Sequence, residues 1–158
     1  MQISPELFTF LHSMIPIGEL RTAIPVATGY FGLPSEIAYI WAVLGNMVPA
    51  LILLKLMNPI ASFARKYIGP LDRFLTKLFD HTRKKHSKKF ERYEALFLPI
   101  FVAIPLPGSG VYTGILISFV FGIPYWKSLG LIGIGVLISG ALVTIGFDSL
   151  FALLDKLS

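Results

Sequence analysis

The chain contains no cysteine. Disulfide staples, thiolate metal sites and cysteine nucleophiles are therefore excluded. Charge is also scarce: 15% of the 158 residues are Asp, Glu, Lys or Arg, against about 25% in a soluble domain. No HExxH, GxSxG or Walker pattern occurs, and the three histidines, His12, His81 and His86, have no carboxylates at metal-binding spacing. No metal, no cofactor and no enzymatic reaction is expected. The opening residues, MQISPELF, carry an acid and no basic run, so a cleavable signal peptide is not expected. What the sequence has in excess is apolar surface, with 54% hydrophobic residues and thirteen Phe. That composition belongs to an all-α integral membrane protein with a single membrane domain, 1–158.

The few charges are unevenly placed. Between Pro59 and Glu94, ten Lys/Arg stand against four Asp/Glu, while the rest of the chain sums to −1. A basic segment between apolar blocks obeys the positive-inside rule, so 58–94 reads as a cytoplasmic connector and no nucleic-acid partner is expected. Within it, Leu71, Phe74, Leu75, Leu78 and Phe79 recur at helical spacing, which predicts an amphipathic helix on the inner leaflet. The following HTRKKHSKKFER is an orientation signal first. Its alternative use is to hold anionic lipid headgroups.

Two apolar blocks are long enough to span a bilayer: Ile37–Leu54, of 18 residues, and Ser128–Phe147, of 20. Asn46 and Pro49 put a polar kink in the first, either lining a cavity or packing. Asp148 ends the second at the interface. The other two apolar blocks are broken at their centres. Leu7–Ser35 is interrupted by PIGELR, and the 32 uncharged residues Ala95–Trp126 are interrupted by PLPGSG. Proline lacks an amide donor and glycine weakens a helix, yet in hydrocarbon every backbone polar group needs a partner within the protein. The arms on either side, Glu6–Ile15, Leu20–Phe31, Ala95–Ile104 and Val111–Phe121, are ten to twelve residues long. Each is about 15–18 Å, half the hydrocarbon thickness. Those are the dimensions of re-entrant hairpins; a kinked span plus a loop is the alternative.

An internal repeat supports the hairpins. FGLP (Phe31–Pro34) and FGIP (Phe121–Pro124) are 90 residues apart, and the same offset pairs Gly18 with Gly108 and Gly45 with Gly135. Each half, 1–57 and 95–158, then consists of a hairpin and one span. A hairpin crosses the membrane zero times and a span once, so the second half must be inverted relative to the first. Opposed, discontinuous helices meeting at the midplane are a transporter architecture. With the connector inside, both termini lie outside. A bundle with two full spans per chain is small, which makes a homodimer plausible.

The first break carries Glu19 and Arg21, ionisable residues at membrane depth and therefore functional candidates. Their alternative is a self-neutralising pair that pins the two hairpins together. At the second break Gly108, Ser109 and Gly110 expose amides where the arm Val111–Phe121 begins, and Gly18 opens the arm starting at Glu19. Helix N-termini favour anions, and Thr22, Ser109, Tyr112 and Thr113 add hydroxyls. The field suits a phosphate or carboxylate better than a cation, with Glu19 as proton carrier. An isolated His12 in the first arm reads as hydrogen-bonded structure.

The pair GELRTAIP and PLPGSGVYTG resembles the putative small multidrug export protein family, and through it the DedA/VTT membrane proteins. The resemblance covers nearly the whole chain. It implies two opposed re-entrant hairpins, and for the DedA relatives a proton-coupled flipping of lipid phosphates. The family elements it implies are Glu19, Arg21 and Pro25 in the first hairpin, and Pro105, Pro107, Gly108, Gly110 and Gly114 in the second. The expected function is transport of a small anionic amphiphile, with membrane lipids as partners. The alternatives are export of cationic drugs through Glu19 and a membrane scaffold that transports nothing.

Overall fold

The computed structural model describes residues 3–67, 88–104 and 110–157, and all regular structure among them is helical. In chain order the helices are α1 (Pro5–Ser13), α2 (Glu19–Gly29), α3 (Ser35–Tyr67), α4 (Lys88–Ala103), α5 (Val111–Phe121) and α6 (Tyr125–Leu157). Local chemistry sets several of the ends. Ser4 caps α1, accepting from the Leu7 N–H at 3.3 Å, with Pro5 and Glu6 in the first turn. α5 ends at Gly122 in the left-handed region (φ +66°), where glycine pays no steric penalty. The N–H groups of Gly122 and Ile123 then close back on the Phe119 and Ser118 carbonyls.

The predicted spans lie inside α3 and α6, and both helices overrun them. Each has 33 residues, about 50 Å, which exceeds the hydrocarbon thickness of about 30 Å. Their apolar lengths are Ser35–Met57 and Tyr125–Leu154. Among the described residues the chain is thus all helical, with two helices long and apolar enough to cross a membrane. α3 continues to Tyr67 and α4 begins at Lys88, so both ends of the basic connector are helical. The amphipathic helix expected at Leu71–Phe79 falls outside the described residues.

α3 and α6 form the central pair and run antiparallel. The Ser35 hydroxyl donates to Asp148 at 2.7 Å, Met47 lies against Gly133, and the Tyr125 hydroxyl donates to the Leu51 carbonyl at 3.3 Å. The short helices pack around this pair in matching fashion. α1 packs on α3 as α4 packs on α6, α1 on α2 as α4 on α5, and α2 on α3 as α5 on α6; α3 also touches α5 as α6 touches α2.

The 90-residue offset recurs in the contacts themselves. A methyl group at Gly45 would collide with the Phe10 carbonyl and the Ser13 hydroxyl, where α1 crosses α3. At Gly135 it would come within 2.6 Å of Val102 Cβ and 2.8 Å of the Pro99 carbonyl, where α4 crosses α6. Gly32 and Gly122 share φ +66°, and the carbonyls of Pro34 and Pro124 accept from Ala38 and Ser128 at 3.0 and 2.9 Å. Between the helices Leu20, Ile24, Leu98, Ile115 and Ile132 form a fully buried core. The outer face of α6, including Ile134, Leu142 and Ile145, is exposed apolar surface, as a lipid-facing helix requires.

Candidate functional site

The first break, Met14–Gly18, lies between α1 and α2. Gly18 (φ +105°) and Glu19 (φ +53°) turn the chain through the left-handed region, and Glu19 is the one non-glycine residue there among the described residues. For a residue with a side chain that conformation is uncommon, and such strain collects at functional sites. Here it turns the carboxylate inward, leaving Glu19 6% exposed.

The carboxylate does not stay within its own half. It accepts the Val111 N–H at 3.4 Å, at the first residue of α5. The Tyr112 amide and the Asn46 side chain also hydrogen-bond it. Gly110 (φ +142°) lies directly beneath, where any Cβ would collide with the Glu19 oxygens. Glu19 therefore caps the N-terminus of a helix 92 residues away, and its carboxyl oxygens meet the positive end of the α5 dipole.

Arg21 makes the complementary contact. Its Nη2 donates to the Ile104 carbonyl at 2.9 Å, just past the end of α4, where cations are favoured. Its charge also acts on Glu19 through space. The second half reaches back, since the Tyr112 hydroxyl donates to the Met14 carbonyl at the end of α1. Met14 and Ile104 stand 90 residues apart. Each closes the first arm of its half, and each takes a donor from the opposite half's second arm.

The other expected site residues divide into groups. Thr22 shares a 2.9 Å hydrogen bond with His12 Nε2, tying α2 to α1. Pro25 sits inside α2 and has no N–H to offer the Arg21 carbonyl four residues back. Thr113 is half-buried in the first turn of α5. Gly114 serves packing: a Cβ there would come within 2.7 Å of Val102 and 3.2 Å of Ile132. Pro105, Pro107, Gly108 and Ser109 lie outside the described residues.

Asn46 belongs with the carboxylate more closely than its place in the sequence indicates. It is 1% exposed, and its Oδ1 has no hydrogen-bond partner. The signal was present, since an amide in the middle of an apolar span is costly without a partner. Its partner, Glu19, is 27 positions away on another helix, and only folding brings the two together.

The family described as putative small multi-drug export protein matches residues 19–142. That range runs from the strained glutamate through most of α6. No curated protein and no solved structure matches the chain.

Proposed function

Because the chain belongs to the putative small multi-drug export protein family, we propose that it is a proton-coupled membrane transporter for an anionic amphiphile such as a lipid phosphate. The observation that carries this reading is the Glu19 carboxylate seated on the N-terminal amides of α5. An anion already occupies that place, and it is tethered. Protonating Glu19 removes the charge that holds it there. The freed amides and the Arg21 guanidinium then suit an incoming headgroup. The site thus holds either ionised Glu19, or a substrate anion together with a protonated Glu19, and that alternative couples the two.

The architecture fits such a cycle. In this reading α1–α2 and α4–α5 are re-entrant hairpins of an inverted repeat, meeting at the midplane beside the antiparallel α3 and α6. The matched glycine crossings, matched turns and reciprocal Met14 and Ile104 contacts support it. The resemblance to DedA/VTT proteins points to the same class of substrate. The two hairpins hold one arginine between them, Arg21, so it supplies the formal positive charge for the phosphate.

A second reading is export of lipophilic cations. Glu19 is the one acidic side chain buried among the described residues, and the family description names drugs. Binding of a lipid phosphate and of a lipophilic cation to Glu19→Gln and Arg21→Gln proteins in proteoliposomes separates the readings. For an anionic substrate, Arg21→Gln weakens phosphate binding, while Glu19→Gln keeps or tightens it and uncouples transport from the proton gradient. Truncating one partner of a buried charge contact costs about 2–5 kcal/mol, or tens- to thousands-fold in affinity. The reverse pattern establishes the cation reading. Equal loss of both ligands in both variants makes the pair a structural pin, as in a scaffold.

A further inference from the structure

We infer that Asn46 of α3 is the acceptor for the Glu19 carboxyl proton, its side-chain amide turning over when Glu19 is protonated. The inference rests on the proposed role of Glu19 as proton carrier and adds the residue that registers the proton. An asparagine side chain has a donor end and an acceptor end. The donor end serves the Glu19 carboxylate. The acceptor end, Oδ1, is buried without a partner in a residue 1% exposed. An unpaired acceptor at such depth is unfavourable, and its presence beside a titratable group indicates a second state in which it is used.

The chemistry of a carboxyl supplies that state. Ionised, it only accepts; protonated, it gains one O–H donor. A half-turn of the Asn46 amide exchanges Nδ2 for Oδ1, so the same side chain donates to the carboxylate and accepts from the acid. Among the other groups that act on Glu19, the Val111 and Tyr112 backbone N–H groups only donate. Arg21, from the helix of Glu19 itself, only donates. Tyr112 of α5 already donates its hydroxyl to Met14. His12 of α1 is paired with Thr22, and Asp148 of α6 with Ser35.

The position gives the switch a route outward. Gly45, the neighbour of Asn46, is where α1 crosses α3 in backbone contact, and α3 packs against α1, α2, α5 and α6. A turn of the amide at this point acts on the element that touches both hairpins.

The test is an infrared difference titration of the full-length protein in lipid bilayers without substrate, so its outcome does not depend on which substrate class is correct. The C=O stretch of the protonated Glu19 carboxyl is assigned by its loss in Glu19→Gln. Asn46→Leu is expected to move that band to higher wavenumber, as for a carboxyl that has lost its acceptor. It should also remove an asparagine amide band that titrates with it, and Asn46→Gln should restore part of the shift. Should Asn46→Leu fail to insert, Asn46→Ser is expected to give a smaller shift in the same direction. An unmoved Glu19 band in whichever of these variants inserts overturns the inference and leaves the proton-carrier reading standing. Absence of any Glu19 carboxyl band across the accessible pH range overturns both.

Discussion

At the scale of single residues, the site is a set of short reaches across the two halves of the chain. Glu19 adopts a strained backbone, and the return is a carboxylate placed on amides it could not reach from a regular helix start. Gly110 makes the contact possible, with φ +142° and no side chain beneath the carboxylate. Gly110→Leu is therefore expected to abolish transport while the protein still inserts, as read by vesicle uptake alongside a membrane-fraction blot; wild-type uptake would remove this meeting point from the mechanism. Tyr112→Phe tests the reciprocal contact. It deletes one hydrogen bond to the Met14 carbonyl and keeps the ring. Its expected cost is about 1 kcal/mol of stability, seen as a lower Tm in detergent. An unchanged Tm would show that the hydroxyl contributes nothing there.

At the scale of helices, glycine sets how closely the arms approach the spans. Gly45 and Gly135 stand in equivalent places and meet equivalent neighbours, while a Cβ at Gly130 of α6 would meet nothing within 4 Å. Small residues at such crossings let helix backbones approach where no hydrophobic drive exists between apolar helices. Gly45→Ala and Gly135→Ala are expected to destabilise by about 1–3 kcal/mol through overpacking. Gly130→Ala should be neutral or stabilising by up to about 1 kcal/mol, from helix propensity alone. Thermal unfolding of the three variants in one detergent checks the ranking, and equal effects at all three sites would contradict the crossings described.

At the scale of the whole molecule, the positive-inside rule and the antiparallel α3 and α6 bear on orientation. Ten of the fourteen basic residues lie between Pro59 and Glu94, so by that rule the connector is expected in the cytoplasm and both termini outside. The absence of native cysteine makes a labelling test direct. Single cysteines at Ser4, Ser87 and Ser158 are treated with an impermeant thiol reagent in intact cells. Labelling at Ser4 and Ser158 but not at Ser87 is expected. The opposite pattern would invert the molecule and the direction of the proposed hairpins.

Much of the helical layout was legible along the chain. Uncharged runs mark α3 and α6, glycine and proline mark the breaks, and α5 begins and ends at the residues its arm predicts, Val111 and Phe121. These features are local: apolar length, missing amide donors and turn glycines act on near neighbours. The 90-residue offset was legible too, as a sparse pattern in FGLP and FGIP. The overrun of α3 into the basic connector was not, because charged residues end an apolar run without ending a helix. Nor did the chemistry of the site follow from spacing. Two residues apart, Glu19 and Arg21 are not expected to face each other on a regular helix, but spacing does not say where each goes: the fold sends one to the N-terminus of α5 and the other to the C-terminal end of α4. Asn46 reads as a kink until α2 is packed beside α3. Such partners lie from 27 to 98 positions apart in sequence. A helix end attracts charge wherever it lies, and only packing settles which side chain comes within a hydrogen bond of it.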